Sequence, residues 1–345
     1  MNGFDEKTLI ELCDEKYVHN GYSTWKYWPA EIYSFGKHIR RYGFYLPVLP
    51  LNIYTDHGAG KITTEPALHE IESEAYCQFY HSPLIKENWR NFSSKPGYVL
   101  YSPFVFYRKT HKTEKAPDAK GTLAFFAHST PAIENASNVE EYIEQLKNLP
   151  EEFQPVSISL HMHDINNETY KIFIKHGVPV YTSGHVCDYR FAERFYNILR
   201  NFKYTTSPII GSYTYYSVEM GIPFSIYGNQ PKFINKSDPN VKAGEYNYYD
   251  EYAEYRIIYD MFHDLQKEIT PEQKELVERD LGLKEGISRF KMAKILYISY
   301  LKQGNLVKDL LYPFIKYSKR PRLLFKQIGY ELKEIFSLVR RGREK

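Results

Sequence analysis

The chain has 345 residues, with 45 Lys and Arg, 42 Asp and Glu and a formal net charge of +3. Apolar residues at 43% and charged residues at 25% are those of a globular chain and exclude a disordered one, and the length predicts more than one domain. Three cysteines, Cys13, Cys77 and Cys187, are too few and too scattered for a disulfide framework or a zinc-finger spacing, and they suit a reducing compartment.

The opening residues Met1-Asn-Gly-Phe-Asp-Glu-Lys7 carry no cationic start before an apolar run. No uncharged apolar stretch reaches the length of about 18 residues that a bilayer span needs. The expected location is therefore the cytoplasm. From Gly286 to Lys345 there are 15 Lys or Arg against 4 Asp or Glu, a local +11 that leaves about −8 for the first 285 residues. An acidic body of this kind is not expected to bind nucleic acid.

In chain order, residues 30–42 are expected to be helical, and strands are expected up to Asp56-His57-Gly58, over 75–81 and over 98–102. Residues 109–121 are polar without apolar periodicity, a linker signal that places a first domain at 1–110. The pattern then alternates regularly. A strand over 122–127 stops at His128-Ser129-Thr130, and a helix follows over 139–149. The strand over 156–160 ends in His161-Met162-His163-Asp164, and the helix over 167–176 is closed by Gly177. A strand over 179–182 ends at Ser183-Gly184-His185 and leads into a helix over 188–202. A strand over 204–206, a helix over 211–220 and a strand over 224–228 complete the run. Five strands alternating with helices predict the α/β class, with a parallel sheet covered on both faces, in a second domain at 121–240. The remainder, 241–345, is acidic and Tyr-rich to 283. Beyond that it predicts amphipathic helices over 287–303, 306–317 and 323–339.

Ligands of open parallel sheets gather beyond the carboxyl ends of the strands, where these polar clusters fall. The turn Ser207-Pro208-Ile209-Ile210-Gly211-Ser212 opens a helix with small residues, a way to aim backbone N–H groups at a phosphate.

Taken together, Ala127-His128-Ser129-Thr130, His163-Asp164, Thr182-Ser183-Gly184 with Asp188, and Ser207 to Ser212 before Gly221-Ile222-Pro223 resemble the motifs of bacterial surface- and capsular-polysaccharide biosynthesis proteins with a GT-B-like glycosyltransferase arrangement. The resemblance covers roughly residues 120–230, with an echo at Asp56-His57-Gly58. It implies two Rossmann-like domains facing a cleft, with a nucleotide-sugar donor held by the second. A glycan or lipid-linked acceptor would approach from the first, without cofactor or metal, and the C-terminal helices would pack back across the cleft. The last motif is also similar to the nucleotide-binding turn of UDP-sugar epimerases, in which carboxylates follow the glycines. Here those positions hold Tyr215 and Tyr216, and Glu219 is the nearest acid.

On this reading Asp56 or His57 accepts the proton of the acceptor hydroxyl. Donor contacts are expected from His128, Ser129, Thr130, His163 and Asp164, and from Gly184, His185, Asp188 and Arg190. The turn residues Ser207, Gly211, Ser212, Tyr213 and Thr214 complete the donor side. Each has a structural alternative. Asp56 to Gly58 can be a capped turn, Ser129 and Thr130 can cap the next segment, and Asp188 can cap a helix while Arg190 is solvated. If His161 and His163 point the same way from a strand, they could share a metal with His185 and Asp188 in a hydrolase. A non-catalytic scaffold of a polysaccharide-assembly complex is the third alternative. The basic tail is expected either on an anionic membrane leaflet or packed on the body.

Overall fold

The structure is a computed structural model that describes residues 2–56, 58–61, 63–239 and 241–343, with side chains to residue 334. Three short strands, β1 (Tyr54–Thr55), β2 (Gln78–Tyr80) and β3 (Gly97–Val99), form a parallel sheet in that order. The larger sheet contains β4 (Thr122–Phe125), β6 (Val156–Ser159), β7 (Val180–Tyr181), β8 (Tyr204–Ser207) and β9 (Phe224–Ile226). The remaining strands are β5 (Ile133–Asn135), β10 (Phe233–Asn235) and β11 (Gly244–Tyr246).

The five-stranded sheet is parallel throughout, in the order β7-β6-β4-β8-β9. The chain starts at the centre, runs outward to β7, then returns to the other side of β4. The order therefore reverses between β4 and β8, the position at which open parallel sheets of this kind bind ligands beyond the carboxyl edge. All four residues of β4 and of β8 are buried, as expected for strands covered on both faces. The α/β class with parallel sheets is as the sequence predicts.

A third, antiparallel sheet, β11-β10-β5, was not anticipated. Its strands are three residues each, too short to show a period-2 pattern, and its small core is Ala127, Phe233 and Tyr246.

The expected helix over 30–42 begins only at Phe35 and runs to Tyr42. Tyr33 and Ser34 have left-handed φ of 54° and 62°, which breaks the helix before it. They are held there from outside the segment. The Tyr33 N–H donates to the Val186 carbonyl at 2.6 Å, and the Ser34 hydroxyl accepts from the Ala192 N–H at 3.1 Å.

One apolar core runs from the first-half helices to the larger sheet. Phe104, on the helix Pro103–Thr110, stacks on Tyr216 at 4.5 Å and meets Phe195 edge-on at 5.6 Å. Burying such a ring contributes about 2–3 kcal/mol. The polar stretch expected as a linker is itself pinned, since Ala116 and Lys120 donate to the carbonyls of Arg200 and Asn201.

Candidate functional site

The carboxyl ends of β4, β6 and β7 bring four imidazoles together. His128 stacks on His161 with ring centroids 4.3 Å apart and planes at 20°, and His161 meets His163 at 5.0 Å. His185 is close enough to act electrostatically on both His161 and His163. His163 does not stand on a strand as expected. His161 caps the short helix Met162–Asn166, which contains His163 and Asp164, so the two rings do not share the strand geometry proposed for a metal. Among the described residues no three His, Cys, Asp or Glu side chains are grouped to hold a metal ion.

Burial pushes all four imidazoles below their ordinary value, and for His161 the neighbouring rings of His128, His163 and His185 push further. They are neutral at pH 7, and backbone partners assign the proton on three of them, His128, His161 and His185. His161 Nδ1 accepts from the His163 N–H at 3.3 Å, which leaves the proton on Nε2. That buried Nε2–H has no partner, a donor set for an incoming oxygen. His185 Nδ1 likewise accepts from the Cys187 N–H at 3.1 Å, and its Nε2 lies 3.9 Å from Glu15. His128 Nδ1 instead faces the Ser129 carbonyl at 3.0 Å, so it donates and its Nε2 keeps a lone pair.

Beneath this cluster Asp164 is buried and pushed up to about 7 by desolvation, although it accepts from the backbone N–H groups of His161 and Ser129. A carboxyl that holds its proton near neutrality beside neutral imidazoles is a polar, nearly uncharged floor, able to respond when an anion arrives.

Most of the other predicted donor residues are engaged within the chain. Ser129 Oγ accepts from the Asn135 N–H at 3.0 Å, and Thr130 Oγ1 from the Ile133 N–H at 3.0 Å, which shapes the turn into β5. Gly184 has a left-handed φ of 88°, and a Cβ there would sit 2.8 Å from the Leu12 carbonyl, so the N-terminal helix Glu6–Cys13 covers this loop. Asp188 pairs with Arg194 at 3.2 Å, and Arg190 pairs with Glu193 at 2.5 Å.

Across the switch point, Gly211 and Ser212 open the helix Ser212–Glu219 as expected. Ser207 shares a hydrogen bond of 2.8 Å with the Tyr213 hydroxyl, while the Tyr213 ring stacks on Phe125 at 4.4 Å. Thr214 Oγ1 accepts from the Gly211 N–H at 3.3 Å. Ser212 Oγ donates to the Ala59 carbonyl at 3.1 Å, and a Cβ on Gly58 would lie 2.6 Å from the same oxygen. The loop after β1 thus lies directly on the helix start beyond β8. Glu219 is not available to a ribose, because the buried Arg108 guanidinium grips both its oxygens at 2.7 Å.

His57 lies outside the described residues. Asp56 is buried and has both oxygens engaged by His81, with Nδ1 at 2.5 Å from Oδ1 and the backbone N–H at 3.1 Å from Oδ2. With Nδ1 turned to Asp56, the ring is left with Nε2 as a buried atom that has no partner. His81 directly follows β2. It was missed because it belongs to no motif, although the strand-end rule applied to the other clusters reaches it. A narrow crevice between segment 20–47 and the loop before helix Phe191–Leu199 is lined by Lys37, Arg40, Cys187 and Tyr189. Its Arg40 is already neutralised by Glu31 at 2.6 Å.

No family model matches the chain, and no curated protein matches it. No helix among the described residues is long and apolar enough to cross a membrane.

Proposed function

We propose that the chain is a GT-B-type glycosyltransferase that moves a sugar from a nucleotide donor to a surface-polysaccharide or lipid-linked acceptor, with two Rossmann-like units across one cleft. The observation that carries this reading is the contact between the carboxyl-end loops of the two parallel sheets, Ser212 against Ala59. Two open sheets that present their ligand edges to each other suit a donor on one side and an acceptor on the other.

On the donor side, the diphosphate accepts from His161 Nε2 and from the start of helix Ser212–Glu219, and proton uptake at the open Nε2 lone pair of His128 balances part of its charge. On the acceptor side, His81 Nε2 takes the hydroxyl proton, and Asp56 holds the ring in the required tautomer and stabilises the imidazolium. Stabilising the departing nucleotide oxygen supplies much of the remaining rate. Neither a metal nor a cofactor enters this scheme.

A thermal-shift panel of UDP, GDP, CMP and dTDP tests the reading. One nucleotide at about 100 times its dissociation constant should add about 2.7 kcal/mol of stability. No shift with any of them would overturn it. That result would favour the non-catalytic scaffold, for which the internal use of Ser129, Thr130, Ser207 and Ser212 is the supporting observation.

A further inference from the structure

The helix Leu306–Tyr317 is turned inside out relative to an ordinary surface helix. Val307, Leu310, Leu311, Phe314 and Ile315 follow the i, i+3, i+4, i+7, i+8 spacing of an apolar stripe, yet all are exposed, Phe314 at 68%. The face that packs inward is Asp309, Pro313 and Tyr317. The next helix, Pro321–Arg343, repeats the pattern with Phe325, Ile328 and Leu332 in water. Isolated exposed apolar side chains need no explanation, but contiguous stripes mark an interaction surface.

Both helices are fixed to the body on one side. The Tyr317 hydroxyl and Lys316 Nζ each donate to the Gly21 carbonyl at 2.9 Å, and Lys37 donates to the Tyr330 hydroxyl at 3.0 Å. Gly21 and Lys37 line the same crevice, so the two stripes project from neighbouring attachment points. The surface is held in place before any partner arrives.

Charge identifies the partner. Between Ser288 and Glu334 the chain carries eleven Lys and Arg but three acids. None of the acids opposes them in solvent: Asp309 is buried and accepts from the Tyr300 hydroxyl at 3.0 Å, Glu331 pairs with Arg41 at 2.7 Å, and the buried Glu334 pairs with Lys37 at 2.8 Å. Lys308, Lys319, Arg320, Arg322 and Lys326 are exposed beside the stripes. A second copy docked through the same face would bring the same positive field and be repelled. A nucleic acid would leave the apolar side chains in water.

We propose that the helices at 306–317 and 321–334 form a membrane-docking face that inserts its apolar stripes among the acyl chains of an anionic bilayer while the flanking cations meet the lipid headgroups. The body then sits on the bilayer without a spanning segment. This surface is argued independently of the cleft and stands or falls separately from the glycosyltransferase reading.

Sedimentation of the full chain with phosphatidylcholine vesicles, with or without phosphatidylglycerol, tests it. The chain should pellet with the anionic vesicles, weakly with the neutral ones, and less as salt rises. Phe314→Glu should lower partitioning by on the order of tenfold. Lys319→Glu with Arg322→Glu should reduce anionic binding by about fivefold per site or more, since each surface cation contributes about that factor. Unchanged circular dichroism and an unchanged urea midpoint certify the fold of each variant. Failure of the wild type to bind anionic vesicles overturns the proposal. So does equal binding by Phe314→Glu, or self-association through this face that Phe314→Glu abolishes without any vesicle binding.

Discussion

Asp56 grips His81 twice, through Nδ1 at 2.5 Å and through the backbone N–H at 3.1 Å, so side chain and main chain are fixed together beyond β1 and β2. This is the geometry that makes an imidazole a base at Nε2, because the other nitrogen and its tautomer are committed. His81→Gln should preserve nucleotide affinity but lower donor turnover by about 10²–10⁴-fold. Asp56→Asn should lower turnover and also cost about 1–3 kcal/mol, because one buried donor loses its acceptor. Nucleotide release in single-turnover assays, with calorimetric nucleotide affinity and urea unfolding on the same samples, separates the two effects. A His81→Gln enzyme with undiminished turnover removes the base from the mechanism.

The imidazole cluster predicts a proton-linked affinity. Burial holds His128, His161, His163 and His185 below their ordinary value, so all four enter the complex neutral at pH 7. A diphosphate favours their charged forms, so binding takes up protons, and affinity should tighten as the pH falls from about 8 to about 6. The slope can reach about tenfold per pH unit for each proton taken up. His128→Gln should flatten it, because His128 Nε2 is the lone pair the backbone leaves open. Titration calorimetry in two buffers of different ionisation enthalpy counts the protons directly.

Much of this architecture is legible in the residues, and the exceptions have physical causes. The run from Thr122 to Ile226 alternates apolar strands and amphipathic helices strongly enough for the α/β class and the order of its elements to follow from periodicity. Gly211 and Ser212 also open a helix as expected. The positions that escaped depend on partners distant in sequence. Tyr33 and Ser34 are bent by Val186 and Ala192, β5 finds its partner about a hundred residues later in β10, and His81 acquires meaning only beside Asp56. Hydroxyls are the hardest to read. Ser129 and Thr130 look the same in sequence whether they face a phosphate or close a turn, and here the neighbouring N–H groups of Asn135 and Ile133 claim them.

Asp164 should make stability depend on pH in the direction opposite to most carboxylates. Its pKa is raised from 3.8 to about 7 by burial, so the folded state holds a proton that the unfolded chain releases. Its contribution is present in full below about 4 and is lost as the pH rises through about 7. Asp164→Asn removes this dependence. The variant should therefore gain on the wild type as pH climbs from about 4 to about 8, by on the order of 4 kcal/mol at the upper end. Urea midpoints at a series of pH values provide the check, and a difference that does not change with pH would contradict the assignment.

Arg108 and Glu219 join the helix Pro103–Thr110 to the helix that follows the Ser207–Ser212 turn, through two hydrogen bonds of 2.7 Å. Both side chains are nearly inaccessible, at 7% and 6% exposure, so removing one charge strands the other in the interior. Glu114 also contacts Arg108 at 2.9 Å, but it is 67% exposed and water-screened, so it compensates little. Glu219→Ala should therefore destabilise by about 3–5 kcal/mol, whereas replacing both partners with leucine should recover most of that loss. A double-mutant cycle by urea unfolding measures the coupling. A further variant at this pair bears on nucleotide recognition. With both Glu219 oxygens held by Arg108, Glu219→Gln should leave the preference between ribo- and deoxyribonucleotides unchanged. Loss of that preference would mean that the carboxylate reaches the sugar after all.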